Sequence, residues 1–175
     1  MTAVTLPATE HEVPDLEWSI ASYKEHQTSS GVAYVASLRR NGKKVAAVEH
    51  VGRGGAPIVL WAENASEHRL AWQEWVRGCD VLHPEESWSE PEYAGIEALI
   101  SEHQIAGQLQ RAIRKSTPVL KQGDTVLKQG YLALRGRPTD PAVQAYLQGD
   151  GAEGAASARA DLLDRYWDGT AWIRL

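Results

Sequence analysis

Hydrophobic and polar residues alternate along residues 31–39, as they do in a strand that buries one face. Asn41-Gly42 follows directly after this stretch. The dipeptide is the strongest short signal for a β-hairpin, because both of its residues tolerate the positive φ angles that a tight turn needs. The pattern therefore predicts a two-residue hairpin that pairs residues 32–39 with residues 44–51.

Strand patterns extend this hairpin on both sides. Residues 17–25 are predicted to form a strand with Trp18, Ile20 and Ser22 on one face. Residues 57–62 contain an unbroken apolar run and are predicted to form a further strand. The four strands together indicate an antiparallel β-meander.

After these strands, the apolar residues recur at helical spacing instead of alternating with polar ones. Asn64 is predicted to cap a helix that ends at Gly78, because Glu67 lies three residues further on, at the capping-box offset. Apolar residues recur at helical spacing over residues 92–115, and Pro118 prevents that helix from continuing. The second half of the chain is therefore expected to begin with a long helix.

A short repeat follows the long helix. The residues Val-Leu-Lys-Gln-Gly occur at 119–123 and again at 126–130, which predicts two short extended segments joined by a turn. The remaining predicted elements are a short helix after Asp140-Pro141, a helix over residues 155–167 and a terminal strand over residues 172–175.

The order of these elements predicts an α+β fold: an antiparallel β-meander packed by helices, followed by a helical half with a small β-hairpin. Residues 1–14 contain prolines and acids without periodicity, and we expect them to form a flexible tail. Residues 15–175 are expected to form a single domain. A β-rich lobe at 15–79 and an α-rich lobe at 91–175 can be distinguished within it.

Composition narrows the class of protein. The chain has 175 residues and a formal net charge of −5, which argues against broad electrostatic affinity for nucleic acid. Its single cysteine cannot form an internal disulfide, which fits a reducing compartment. No apolar run is long enough to span a membrane, and the first residues do not resemble a targeting signal. We therefore expect a cytoplasmic protein that does not bind membranes.

Familiar catalytic and metal-binding motifs are missing from the sequence. The six histidines show no HxH or HxxxH spacing, so no metal site built from a local motif is expected. Cys79 has no base supplied by a nearby motif, which favours a small buried side chain over a nucleophile. Phosphate-binding and dinucleotide-binding glycine motifs are also absent. The sequence predicts neither a cofactor nor an enzyme.

The best candidate for a ligand site is Gly52-Arg53-Gly54-Gly55, which we call the glycine turn, with His50 and Trp61 nearby in the sequence. Successive glycines can direct backbone N–H groups at an anion, and Arg53 can add a charge-assisted contact. Trp61 can stack a nucleotide base. The alternative interpretation is a turn whose glycines only satisfy backbone geometry.

Four cations surround the predicted hairpin turn: Arg39, Arg40, Lys43 and Lys44, which we call the basic tip. Such a tip can contact nucleic-acid phosphates. Charge at this position also keeps a hairpin solvated and protects a sheet edge from pairing with another chain. Both interpretations are open at the level of sequence.

Two parts of the chain resemble an uncharacterised family of small phage and actinobacterial proteins. The first is residues 23–61, with the NGKKV hairpin and the Gly-x-Gly-Gly turn, and the second is the segment PTDPAVxxYL that starts at Pro138. The resemblance implies a phage or mobile-element setting, and hence the host cytoplasm, but it supplies neither an activity nor catalytic residues.

Three functions compete on this basis. The leading hypothesis is a non-catalytic phage-type accessory protein that binds and inhibits a host or defence protein. The second is a nucleic-acid or nucleotide binder that uses the basic tip and the glycine turn. An enzyme with a site assembled through space around His50 is the third. The oligomeric state is not indicated by any pattern in the sequence.

Overall fold

The computed structural model of the chain describes residues 3–79, 91–114, 119–122, 125–128 and 165–174. It confirms the predicted α+β class, with antiparallel sheets and two helices among these residues. The elements in chain order are β1 (Val4–Thr5), β2 (Glu12–Val13), β3 (Trp18–Thr28), β4 (Gly31–Arg40), β5 (Lys43–His50), β6 (Ile58–Trp61), α1 (Ser66–Arg77), α2 (Pro91–Arg114), β7 (Val119–Gln122), β8 (Thr125–Lys128), β9 (Arg165–Trp167) and β10 (Trp172–Arg174).

The chain divides into two compact units, residues 1–104 and residues 105–175. The boundary therefore falls within α2, whereas the sequence suggested a division between residues 79 and 91. The first half of α2 belongs to the first unit because Ile96, Leu99 and Ile100 are buried in the core of that unit. Helical periodicity alone does not reveal which neighbours a helix packs against.

The main sheet of the first unit has the order β3-β4-β5-β6, and every neighbouring pair is antiparallel. The predicted hairpin at Asn41-Gly42 is confirmed, with φ angles of 49° and 77° at its two turn residues and Arg40 opposite Lys43. The register shifts by one residue next to the turn, at Val45, because Leu38 pairs with Ala46 while Arg39 pairs with Lys44. This β-bulge increases the local twist and is invisible in the alternation pattern.

A second bulge corrects the predicted face of β3. The pairing passes from Ala21 opposite Ser37 to Lys24 opposite Val35, so two residues of β3 face one residue of β4. Ser22 adopts a φ of 55° in this bulge and is exposed. The prediction that Ser22 shares the buried face of Trp18 is therefore wrong, because the left-handed residue interrupts the alternation.

Tryptophan side chains form the centre of the first unit. The indole of Trp72 is fully buried, and its centroid lies 5.1 Å from those of both Trp18 and Trp75. Gly95 of α2 faces this cluster so closely that a Cβ there would lie 2.8 Å from Cγ2 of Val76 and 3.1 Å from the Trp72 ring. The missing side chain of Gly95 is what allows α2 to approach α1.

The start of α1 differs from the predicted capping box. The N-cap residue is Ala65, and no side chain caps the helix. Asn64 instead has a φ of 61°, a left-handed conformation that asparagine tolerates better than most residues. Asn64 therefore serves the turn that precedes the helix, and the prediction that it caps the helix is wrong.

Residues 4–13 are part of the fold, which corrects the predicted flexible tail. β1 and β2 pair with each other, and Leu6 and Val13 are buried in the core. The turn between them is held by the carboxylate of Glu102, which accepts hydrogen bonds from the Ala8 N–H at 2.9 Å and the Thr9 N–H at 2.7 Å. The three buried side chains, Leu6, Ala8 and Val13, are unevenly spaced and leave no periodicity for a sequence pattern to detect.

The second unit contains a sheet with the order β10-β9-β7-β8. The repeated segment forms the hairpin β7-β8, as predicted, and the terminal strand is confirmed as β10. The helix predicted over residues 155–167 is wrong at its end, where residues 165–167 pair with β7 and β10 as strand β9. The rest of that helix and the short helix after Asp140-Pro141 lie outside the described residues.

We predict opposite effects for alanine at two glycines of α2. Gly95→Ala should lower the free energy of unfolding by up to about 2 kcal/mol, because overpacking costs about 1–3 kcal/mol and the gain in helix propensity is only about 1 kcal/mol. Gly107→Ala should raise it by about 0.5–1 kcal/mol, because a Cβ there meets no atom within 4 Å. Urea unfolding followed by far-UV circular dichroism measures both. Equal stabilisation by the two variants would contradict the close packing at Gly95.

We also predict that Glu102 protects the first turn of the chain from hydrogen exchange. Glu102→Gln removes a charged acceptor, and each such bond contributes about 1.5–3 kcal/mol, so the Ala8 and Thr9 amides should exchange about ten to a hundred times faster. Glu97→Gln, on an exposed position of the same helix, is the matched control and should leave these amides unchanged. Unaltered exchange in Glu102→Gln would show that the carboxylate does not hold the turn.

Candidate functional site

The glycine turn has the backbone of a concave anion site. Gly52, Gly54 and Gly55 have φ angles of 73°, 73° and 90°, whereas Arg53 between them is not left-handed. Alternation between left-handed and right-handed residues turns successive N–H groups towards one side of the chain. The N–H groups of Arg53, Gly54 and Gly55 donate to no acceptor in the part of the chain that the structure describes. Three adjacent donors are therefore available at an exposed turn.

His50 holds this turn in place. Its ring stacks on Tyr34 with centroids 5.2 Å apart. Its Nδ1 lies 3.0 Å from the carbonyl oxygen of Val32, and its Nε2 lies 3.0 Å from that of Gly55. The Gly52 N–H also points at Nδ1, at 3.2 Å. Both ring nitrogens thus face backbone groups rather than an open pocket, which leaves neither free to act as a base.

The glycine turn rests on the hairpin loop between β3 and β4. A Cβ at Gly52 would lie 2.8 Å from the Ala33 nitrogen, and a Cβ at Gly31 would lie 2.9 Å from the Gly52 oxygen. The Thr28 hydroxyl donates to the Gly31 oxygen at 2.8 Å, so it is used within the loop. These contacts hold Gly52 in position against the loop. Gly54 and Gly55, by contrast, have open space where a Cβ would be.

Trp61 does not belong to this site. It pairs with Ala46, whereas His50 lies four residues further along β5. At about 3.4 Å per residue this separation is about 13 Å. The Trp61 ring is half-buried against the core. A base bound at the glycine turn would therefore not reach it, and the predicted stacking role is not supported by the fold.

Half of the charge of the basic tip is engaged by the protein itself. Arg40 forms a salt bridge with Glu17 at 2.8 Å and lies 5.6 Å from the centroid of the Trp18 ring. Arg39 donates to the Gly42 oxygen at 3.1 Å. Lys43 and Lys44 are exposed at the end of the hairpin. The tip consequently offers two lysines to a partner rather than four free cations.

The basic tip and the glycine turn lie at opposite ends of β5. Lys43 begins the strand and His50 ends it. Seven steps of about 3.4 Å place them about 24 Å apart. A ligand that used both would have to follow the length of the strand, so the two elements do not form one compact site.

Sequence reasoning missed the exposed face of the main sheet. The register aligns Val35 with Glu49 and Ile58 on one side of the sheet, and places Leu60 on the same side. Val35, Ile58 and Leu60 are 47%, 53% and 48% exposed. We call these three residues the outer patch. β6 lies at the end of the sheet order, so its apolar run has one exposed face, which the sequence pattern did not indicate.

The outer edge of β6 pairs with none of the other described strands. The Ala62 N–H donates to the Val45 oxygen at 3.1 Å, and in an antiparallel ladder every second residue is bonded to the same neighbour. Leu60 and Ile58 therefore bond to β5, whereas the N–H and C=O groups of Val59 and Trp61 point away from it. Neither residue has a further backbone bond in the part of the chain that the structure describes.

Positive charge surrounds the outer patch. Lys24 is opposite Val35, and Arg39 and Lys44 pair with each other on the same side of the sheet. Glu49 is the acid that the register places among them. This face is thus net positive on a chain whose net charge is −5.

A row of aromatic rings crosses the opposite, buried side of the sheet. Tyr23 lies 5.5 Å from Tyr34 and 6.3 Å from His103 of α2, measured between ring centroids. Burial raises the pKa of Tyr34 to about 12, with a smaller contribution from the charge of Glu97. Burial also raises the pKa of Tyr23, whose hydroxyl donates to Glu25 at 2.6 Å. Both tyrosines therefore stay neutral at physiological pH and serve the packing of the sheet.

Within the described ranges, no three histidine, cysteine, aspartate or glutamate side chains come together as a metal site. None of the described helices is both long and apolar enough to cross a membrane. Comparison with models of protein families, with curated proteins and with solved structures finds no match to this chain.

We predict that Cys79 is unreactive in the folded protein. Burial raises the pKa of its thiol to about 12, with a smaller contribution from Asp15, so the neutral form dominates at pH 8. Iodoacetamide labelling at pH 8 should be about a hundred times slower than in urea, and the label can go to one cysteine only. Because the folded pKa is raised, this group should stabilise the fold up to about pH 9 and less as the pH rises towards 12. Rapid labelling of the folded chain would contradict the burial.

Proposed function

We propose that this protein binds another protein, without catalysis, by accepting an extended segment of the partner at the β6 edge. In this proposal the bound partner is a host or defence component that the protein inhibits, as the accessory-protein hypothesis holds. The phage setting is supported only by the resemblance of the sequence and stays a prediction.

The unpaired edge of β6 carries the proposal. Among the described residues, the outward N–H and C=O groups of Val59 and Trp61 have no partner, and such groups are a template for an added strand. The strand contains no charge, proline or bulge that would block such pairing. Its exposed side chains, Ile58 and Leu60, can contact alternate residues of the added segment.

The charge of the exposed face defines the partner segment. Lys44 is exposed at one end of the outer face, and Arg53 is exposed near the other end, where β6 begins. A segment with apolar residues at alternate positions and acidic residues around them would complement this surface. The protein-binding hypothesis thus gains a location and a partner chemistry that the sequence did not supply.

The competing nucleic-acid hypothesis has less support from the structure. It required the basic tip and the glycine turn to act together, but they lie about 24 Å apart by strand rise. Arg40 is neutralised by Glu17, and Trp61 is half-buried away from the turn. The glycine turn has its own free donors and is treated separately below.

The test uses a displayed library of random peptides selected on the purified protein. We expect enriched peptides with alternating apolar residues and flanking acids. Val59→Pro should abolish their binding, because proline removes the outward N–H while the bonds of Leu60 and Ile58 to β5 remain. Val59→Thr keeps that N–H at nearly the same size and is the matched control.

Two further variants separate the contribution of the apolar contacts to peptide binding from that of the positive charge. Leu60→Lys should weaken the selected peptides at least about ten-fold through the outer patch, and Lys44→Glu should weaken the acidic ones by a similar factor. Peptides that bind Val59→Pro as well as they bind the wild type would refute strand addition. A selection that enriches no saturable binder would refute the proposal as a whole.

A further inference from the structure

We infer that the glycine turn is a site for the phosphate group of a small molecule. This inference is independent of strand addition at β6, because it rests on different backbone groups, those of residues 53–55. It assigns a ligand class to three donors for which the protein provides no acceptor among the described residues.

The first support is the number and direction of the donors. Gly54 and Gly55 have positive φ angles and Arg53 before them does not, a change of backbone hand of the kind that turns the N–H groups of successive residues towards a common side. None of the three is used within the described residues. A phosphate group, which has several strong acceptor oxygens, can accept bonds from all three.

The second support is the electrostatic setting. The Arg53 side chain is exposed at the turn and can reach a bound oxyanion with a bidentate guanidinium contact. Among the described residues, the turn contacts a histidine, a threonine hydroxyl and backbone groups, and none of these is a carboxylate. A bound phosphate would therefore meet no repelling acid in the immediate contacts of the turn.

The third support is the rigidity of the site. The His50 ring lies 3.0 Å from the Gly55 oxygen through Nε2 and 3.2 Å from the Gly52 nitrogen through Nδ1, and Gly52 is packed against Ala33. A site whose shape is fixed before binding loses less conformational entropy on binding. Gly54 and Gly55 are open where a Cβ would stand, so their role is the left-handed backbone rather than close packing.

We expect the protein to contact the phosphate group of a ligand and no other part of it. Trp61 is about 13 Å away along the sheet, and the face of His50 that meets Tyr34 is occupied. No aromatic platform for a base is therefore placed at the turn within the described residues. We expect inorganic phosphate, pyrophosphate and AMP to bind through the same three amides, with no additional affinity from adenine.

Amide NMR titration of the isotopically labelled protein tests this directly. With inorganic phosphate at constant ionic strength, the resonances of Arg53, Gly54 and Gly55 should shift and saturate, while those of Lys43 and Lys44 should not. Arg53→Gln should raise the dissociation constant by about ten-fold. Lys43→Gln, at the opposite end of β5, is the matched control and should leave it unchanged.

Every other outcome counts against the inference. Absence of saturable shifts at residues 53–55 in the wild type would overturn it without any variant. Equal shifts at the basic tip would indicate unspecific screening of charge. A single-stranded oligonucleotide that shifts residues 41–44 and 53–55 together, more strongly than phosphate does, would replace the small-molecule site with a nucleic-acid interface. Acetate binding as tightly as phosphate would replace the phosphate class with a carboxylate.

Discussion

The first unit depends on the burial of the Trp72 indole between the sheet and the two helices. Trp18 comes from β3, Trp75 from α1 and Gly95 from α2, so one side chain joins three elements. An aromatic side chain of this size buries about 150–250 Å², which is about 4–6 kcal/mol at about 25 cal/mol per Å². The Trp72 Nε1 has no hydrogen-bond partner in the described structure, and such a loss costs about 1–3 kcal/mol. The apolar gain is the larger of the two.

Local chemistry explains which parts of the fold were predictable. The Asn41-Gly42 turn determines its own geometry, so the hairpin, its two strands and the first residue pairs followed from the sequence. The bulges at Ser22 and Val45 did not, because they are shifts in the register between neighbouring strands, which the alternation of apolar and polar residues does not show. Asn64 shows the same limit at a helix start. Its side chain suits a cap, but the chain path before α1 requires a left-handed residue there.

The same distinction between local chemistry and strand pairing applies to the candidate sites. The glycine turn was recognisable because glycine spacing reports directly on backbone conformation, and the structure gives that turn its free donors. Its association with Trp61 was not predictable, since only the register shows that the ring belongs to another part of the sheet. The β6 edge was hidden for a similar reason. The sequence pattern of an apolar strand at the end of a sheet does not differ from that of a central strand, so the order of strands has to be known.

The tryptophan pairs give each unit an optical signature of its own. Trp72 and Trp75 stack at 5.1 Å with an interplanar angle of 19°, whereas Trp167 and Trp172 of the second unit meet edge to face at 5.4 Å. Indole transitions at such distances couple, and the sign and size of the coupling depend on the mutual orientation of the rings. The near-ultraviolet circular dichroism of the two units should therefore differ in shape. The protein thus carries built-in chromophores that can show, without any label, whether its halves lose their side-chain packing together or one after the other.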